Sequence, residues 1–341
     1  VVRKSADEAE RAARFPSRVH PGRELTEPQA ELELSSSEIP LYDPSNLTIV
    51  SCAQADWDLA MRMMGTGRLA RLGQFCASFQ GEFNETNDRK KNLLSYDPAE
   101  GPEIIRGAHV CLYSIRAASQ GKNVYLLERP FRERHGRDQD RDTKSSHHRY
   151  ERIGFQRKSP QNNFRRLIAT KIPAGKYLLE SVSYIPEHRS SIPLTLVLAL
   201  LNSKLADWYF RLGSTNAMVG EYQFNSLPCP VFAEATSSTK RQQDAVQRKL
   251  SAGQVDEALQ LLAPFVQTAP FDPFVRDAVI AAVDRITDLE RRRGDIARSD
   301  RSALDPAAQP YQDFVDKVLF QLAGLTDDEI AGLEQRLATM L

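Results

Sequence analysis

Cationic and carboxamide side chains crowd one stretch of the chain: Arg157-Lys158, Gln161-Asn162-Asn163, Arg165-Arg166 and Lys171. A guanidinium offers two parallel N–H donors, the geometry that reads guanine in a major groove, and a carboxamide offers the donor and acceptor pair that reads adenine. The same cations neutralise phosphates and release condensed counterions. Between Lys122 and Lys176, fifteen Lys and Arg stand against six Asp and Glu. That local excess of +9 sits in a chain whose 45 Lys and Arg balance 45 Asp and Glu, and such a block is the footprint expected where a polyanion docks. Lys90, Lys91, Arg106, Arg129 and Asn216 complete the candidate DNA-binding set. Two plainer roles compete: Arg165 and Arg166 could pair with acids of their own domain, and the mixed-charge run from Arg132 to Arg149 reads as a solvated loop.

Chemistry of other kinds is hard to find. The sequence has no Gly-x-Gly-x-x-Gly, no Gly-x-x-x-x-Gly-Lys-Ser/Thr, no His-Glu-x-x-His and no Gly-x-Ser-x-Gly, so no catalytic residue is assigned. Gly65-Thr66-Gly67 follows a helical pattern and reads as a stop signal. Asp272-Pro273-Phe274 reads as a helix start, and Asp327-Asp328-Glu329 as acids that offset a helix dipole. Cys52, Cys76, Cys111 and Cys229 stand singly, which fits reduced thiols of a cytoplasmic protein and not a zinc ribbon or a disulfide framework. His147 and His148 are adjacent, which points them apart, and no ligand-spaced partner lies nearby, so no metal site is expected.

These residues must be positioned by regular elements, and 341 residues provide for two or three domains. The longest apolar run, Leu194 to Leu201, is far short of the roughly 20 residues of a membrane-spanning helix, and no membrane partner is expected. Residues 1–44 are polar and Pro-rich, a linker or the end of a preceding domain. The first residues show neither an initiator Met nor a secretory signal, which suggests a chain cut from something longer. Residues 45–232 open with a strand-like Leu47 to Val50 and a helix over Ala55 to Met64. Short apolar runs follow, from Leu72 through Val110-Cys111-Leu112-Tyr113, Ile153-Gly154-Phe155 and Leu167-Ile168-Ala169-Thr170 to Tyr177-Leu178-Leu179, separated by turn residues. They predict a strand-rich twisted or barrel-like sheet. Pro193 to Leu212 then carries apolar residues at offsets of three and four, one helix whose apolar face packs on that sheet. Residues 233–341 show helical spacing throughout and predict a separate helical extension. One stretch, Val255 to Ala269, is faintly like a tetratricopeptide unit but has no second copy. The fold class expected is α+β.

Several blocks in order resemble one family. They are Gly81-Glu82-Phe83-Asn84, Ile105-Arg106-Gly107, Arg165-Arg166-Leu167-Ile168-Ala169-Thr170, Leu200 to Phe210, Phe224-Asn225-Ser226-Leu227-Pro228-Cys229-Pro230 and Ala323-Gly324-Leu325-Thr326-Asp327-Asp328-Glu329-Ile330. Together they are similar to the target-recognition region, the TaqI-like C-terminal specificity domain, of N6-adenine DNA methyltransferases and type IIG restriction-modification enzymes. The resemblance covers roughly residues 45 to 341. It implies a specificity module that sets register on duplex DNA through phosphates and reads bases. An upstream methyltransferase domain of the same polypeptide would bind S-adenosylmethionine and flip the adenine, and the parent could also be an endonuclease. That family's Asn/Asp-Pro-Pro-Tyr/Phe motif is not in this sequence, so the chain is not expected to methylate by itself or to hold a cofactor. The alternative is a protein-interaction module of a multisubunit complex that never touches DNA, docking through the tail and its Arg291-Arg292-Arg293.

Overall fold

Apolar alternation between turn residues builds one small antiparallel sheet, and 3.6-residue periodicity builds the helices that cover it. The computed structural model describes residues 7, 14–20, 27–28, 30–118, 121–136, 141–214, 217–294 and 303–339. Its strands are β1 (Arg14–Val19), β2 (Ala30–Ser35), β3 (Leu69–Arg71), β4 (Phe79–Gln80), β5 (Leu94–Ser95), β6 (Val110–Cys111), β7 (Ser114–Ile115), β8 (Tyr125–Leu126), β9 (Arg152–Gln156), β10 (Ala169–Ile172), β11 (Val182–Pro186) and β12 (Pro228–Pro230). Its α-helices are α1 (Ile39–Tyr42), α2 (Gln54–Gly65), α3 (Glu85–Lys90), α4 (Glu128–His135), α5 (Leu194–Leu201), α6 (Lys204–Gly213), α7 (Glu221–Asn225), α8 (Lys240–Ser251), α9 (Val255–Leu262), α10 (Pro273–Arg292), α11 (Gln309–Leu322) and α12 (Asp327–Thr339). The fold is α+β.

Of the two forms expected, twisted or barrel-like, the sheet takes the open one. The largest sheet has four strands in the order β10-β9-β11-β4, the other pairings are two-stranded, and no closed barrel forms among the described residues. Most of the apolar runs are too short to propagate a ladder, and the chain turns between them as 3₁₀ segments. Leu47 to Val50 is not a strand: Leu47 takes φ +52, and nothing in that run pairs as a ladder.

Helix α5 explains how the parts join. Leu194, Leu196, Val197, Leu198, Ala199, Leu200 and Leu201 are all buried, and a helix apolar all round needs neighbours on every side. It contacts β9 and β10 of the sheet and also α10 of the tail. One continuous apolar cluster runs from Leu32 to Leu333 and includes the tail helices. Buried polar bonds reinforce the seam. Arg116 pairs with Glu290 at 2.8 Å, the Tyr113 hydroxyl donates to Gln312 Oε1 at 2.6 Å, and Asp56 Oδ1 accepts from Trp208 Nε1 and Arg336 Nε. Arg68 donates to the carbonyls of Gln321 and Leu322 at the end of α11, where a cation offsets the helix dipole.

Within residues 1–44, β2 pairs with β1, and Glu31 and Glu33 are exposed while Leu32 and Leu34 are buried, the alternation of a strand with one solvent face. The single helix over Pro193 to Leu212 is two helices. Asn202 and Ser203 break it, and Ser203 caps α6 by accepting from Ala206 N at 3.1 Å.

The blocks that carry the family resemblance prove to be latches of this scaffold. Gly81 lies where a Cβ would meet the Leu179 carbonyl oxygen at 2.0 Å. Glu82 forms a buried ion pair with Arg152 and accepts from Leu178 N at 2.7 Å; burial pushes its carboxyl above the usual range even so. Asn202 Oδ1 accepts from Ala169 N at 2.9 Å while its Nδ2 donates to Ala169 O at 3.0 Å. Asp207 Oδ1 accepts from the backbone N–H groups of Arg166 and Leu167, and its Oδ2 accepts from Arg211 Nε at 2.9 Å. Helices α5 and α6 are thereby pinned to the entry of β10.

Candidate nucleic-acid interface

An open cleft of about 740 Å³ lies beside the sheet, and three of the sequence-predicted residues, Arg106, Lys158 and Asn163, line it. Arg106 is placed by the 3₁₀ turn Gly107–His109 that it precedes: its backbone N–H donates to His109 Nδ1 at 3.1 Å, and Gly107 N donates to Ser181 Oγ at 3.0 Å. Its guanidinium reaches toward Gly121, where a Cβ would stand 2.4 Å from Nη1. Lys158 leaves the end of β9 and bridges Met218, with Ser159 N donating to Ala217 O at 2.7 Å and Val219 N donating to Arg157 O at 2.8 Å. Asn163 sits in a turn closed onto Pro160, and its Nδ2 donates to Arg165 O at 2.9 Å.

The remaining lining decides what the cleft can do. Gln156 adds a second carboxamide, held by donating Nε2 to Val110 O at 2.7 Å. Phe164, Ile168 and Leu179 form an apolar wall. Two acids also line the cleft: Glu85 accepts from the Tyr96 hydroxyl at 2.7 Å, and Glu180 accepts from Glu85 N at 3.1 Å. Two cations, two carboxamides and an apolar wall in an open groove suit phosphates, base edges and the faces of sugars or bases.

The other candidates are dispersed. Lys90 and Lys91 end α3, with Lys91 paired to Asp88 at 3.2 Å, and Arg129 is exposed on α4 with Glu133 at 2.9 Å. These three ride on a satellite core of Phe83, Leu93, Leu94, Ile104, Val124, Leu126, Phe131 and Leu179. Arg157 is half-buried beside the cleft and Asn162 is exposed in the loop. Asn216 lies outside the described residues.

One position calls for correction as a surface contact. Arg166 is 1% exposed. Its guanidinium donates to Ser214 Oγ at 3.0 Å and lies over the Phe210 ring, 5.0 Å from its centroid, and burial lowers its pKa. A polyanion cannot reach it while the fold is intact. The Arg165 charge acts on the buried carboxyl of Asp316, opposing the upward shift that burial imposes there, and Lys171 pairs with Asp284 of α10 at 3.0 Å. Lys171 thereby joins β10 to the tail, while Arg165 stands half-buried. What the sequence reading missed is Gln156, whose only signal was its place next to Arg157.

The fold also assembles a group that spacing did not reveal. Asp142 Oδ1 lies 2.8 Å from His147 Nε2 and 2.8 Å from His188 Nε2, while Arg189 pairs with its Oδ2. Hydrogen bonding from His188, against burial and with help from His147 and Arg189, holds the Asp142 carboxyl down to about 2. Burial is also the largest influence on the His147 ring, lowering its pKa and favouring neutral imidazole. Burial pushes the thiols of Cys52 and Cys76 up to about 12 and raises that of Cys229 as well. No helix among the described residues is long and apolar enough to cross a membrane.

No protein-family model matches the chain, and comparison with curated proteins finds no match. Among solved structures it is similar to the type IIL restriction-modification enzyme MmeI in complex with DNA, with a TM-score of 0.41 and 10% identity. The likeness covers 78% of this chain, which spans 35% of that one.

Proposed function

We propose that this chain is a DNA target-recognition region, acting within a site-specific adenine-N6 methyltransferase of a restriction-modification system. The observation that carries the reading is the convergence of Arg106, Lys158, Asn163 and Gln156 on one open cleft. The ordered sequence blocks add to it. In this reading the cations set register on phosphates and the carboxamides read base edges. Methyl transfer and S-adenosylmethionine belong to a catalytic domain of the parent polypeptide, because this sequence holds no motif suited to either.

Fluorescence titration of the chain against a pool of random duplex DNA, at several salt concentrations, tests the reading. Each lost phosphate contact lowers the slope of log K against log salt by about 0.9. Arg106→Ala combined with Lys158→Ala therefore lowers the slope by about 2 and the affinity by about tenfold per contact at 0.1 M salt. Lys240→Ala, on α8 outside the cleft, leaves both unchanged. The reading fails if wild-type chain shows no salt-dependent binding even at low salt, or if the double variant binds as wild type does. A tail fragment that captures a partner subunit while the chain ignores DNA would favour the interaction-module alternative.

A further inference from the structure

We propose that Asp142, His147 and His188 form a binding site for a transition-metal dication of the Zn²⁺ class. Their three ligand atoms, a carboxylate oxygen and two imidazole nitrogens, all lie within 4.8 Å of one another. Imidazole nitrogen and carboxylate oxygen are the donors such an ion takes, and three protein ligands with one water make an open tetrahedral site. The partners behind the ligands are also in place. His147 Nδ1 lies 2.9 Å from the Tyr184 hydroxyl, the second oxygen of Asp142 is held by Arg189, and the His188 ring packs on Tyr150 at 4.1 Å between centroids. Outer bonds of this kind fix the tautomer and orientation of metal-binding rings.

Ligation takes the Nε2 lone pair of each ring, so in the bound form the ring proton sits on Nδ1, and for His147 the Tyr184 oxygen accepts it there. The freed Nε2 lone pairs then point at the ion. Tetrahedral bonds of about 2.0 Å set ligand atoms about 3.3 Å apart, so the 2.8 Å separations open by about half an ångström as the ion enters. His147 lies in the 3₁₀ turn Lys144–Arg149 that precedes β9, and His188 lies in the turn Glu187–Arg189 that follows β11. Those strands pair at Arg152 and Pro186. An ion there clips the basic segment Arg141 to Arg149 onto the end of the sheet.

The test is Zn²⁺ titration of the EDTA-treated full chain in competition with a chromophoric chelator. One equivalent is expected to bind. Asp142→Asn and His188→Ala are each expected to weaken binding at least about tenfold, the scale associated even with outer-shell partners, whereas His135→Ala leaves it unchanged. His188 is the informative variant because its side chain is a quarter exposed, and circular dichroism checks that the chain is still folded. Co²⁺ provides a second readout: visible ligand-field bands that His188→Ala abolishes. No stoichiometric uptake by the wild-type chain, or uptake undiminished in both variants, overturns the proposal.

Discussion

The bond pair between Asn202 and Ala169 permits the sharpest test of the scaffold. Asn202 is 1% exposed and Ala169 fully buried, and the carboxamide satisfies both the N–H and the C=O of that residue. Asn202→Ala removes both bonds. The carbonyl keeps Tyr113 N as a donor at 3.0 Å, so its loss costs about 1 kcal/mol, but the buried N–H loses its side-chain acceptor at about 1–3 kcal/mol. The expected loss of stability is therefore about 2–4 kcal/mol, which lowers a urea midpoint by about 1 M for a slope near 3 kcal/mol/M. Trp57 and Trp208 report the transition, the latter from the helix that Asn202 helps to pin. Asn202→Asp keeps the volume and the acceptor but sets a carboxylate against the Ala169 carbonyl, and it is expected to cost at least as much at neutral pH. The reasoning fails if Asn202→Ala shifts stability by less than about 0.5 kcal/mol, well below the cost of burying an unsatisfied N–H.

Two further outcomes follow from the buried charges. Arg166→Met is expected to leave DNA affinity near wild type but to cost about 1–3 kcal/mol of stability, since it strips a donor from the buried Ser214 hydroxyl and a cation from beside Asp207; a fall in affinity matching that of the Arg106 and Lys158 variant would restore Arg166 as a DNA contact. Asp272 supplies the pH prediction. Burial alone would raise its carboxyl, but hydrogen bonds from Thr236, Ser237 and the backbone N–H groups of Ser237 and Phe274 outweigh it and hold the group at about 2. A depressed folded pKa stabilises the fold above the unfolded value near 3.8 and loses that contribution as pH falls toward 2. The effect is about 2 kcal/mol, and Asp272→Asn should flatten the stability profile between about pH 4 and 2. An unchanged profile would show that the cap carries no such linkage.

The helix starts and the α+β class were legible because they depend on near neighbours in sequence. Asp272 caps α10 by accepting from Phe274 N at 2.9 Å, and Thr326 exchanges bonds with Glu329 at the start of α12, both as the local pattern indicates. The buried strand β2 was also written in the alternation of Glu31, Leu32, Glu33 and Leu34, although the surrounding prolines suggested a linker. The break at Asn202-Ser203 was not legible, because an apolar helix pattern continues straight across it and only Ala169 and Ala206 explain why the chain turns there.

Local composition thus determined that this chain would be a mixed fold with a basic middle and a helical end. Tertiary structure decided which of its charges face solvent. Arg166 and Lys171 are close in sequence to Lys158 and Asn163 and chemically equivalent to the best candidates, yet packing turned them toward Phe210 and Asp284. Arg106, some fifty residues earlier, was brought to the cleft instead. The Asp142, His147 and His188 group has the same origin. A side chain's chemistry is local, but the low dielectric or the open water in which it acts is set by what the rest of the chain lays over it.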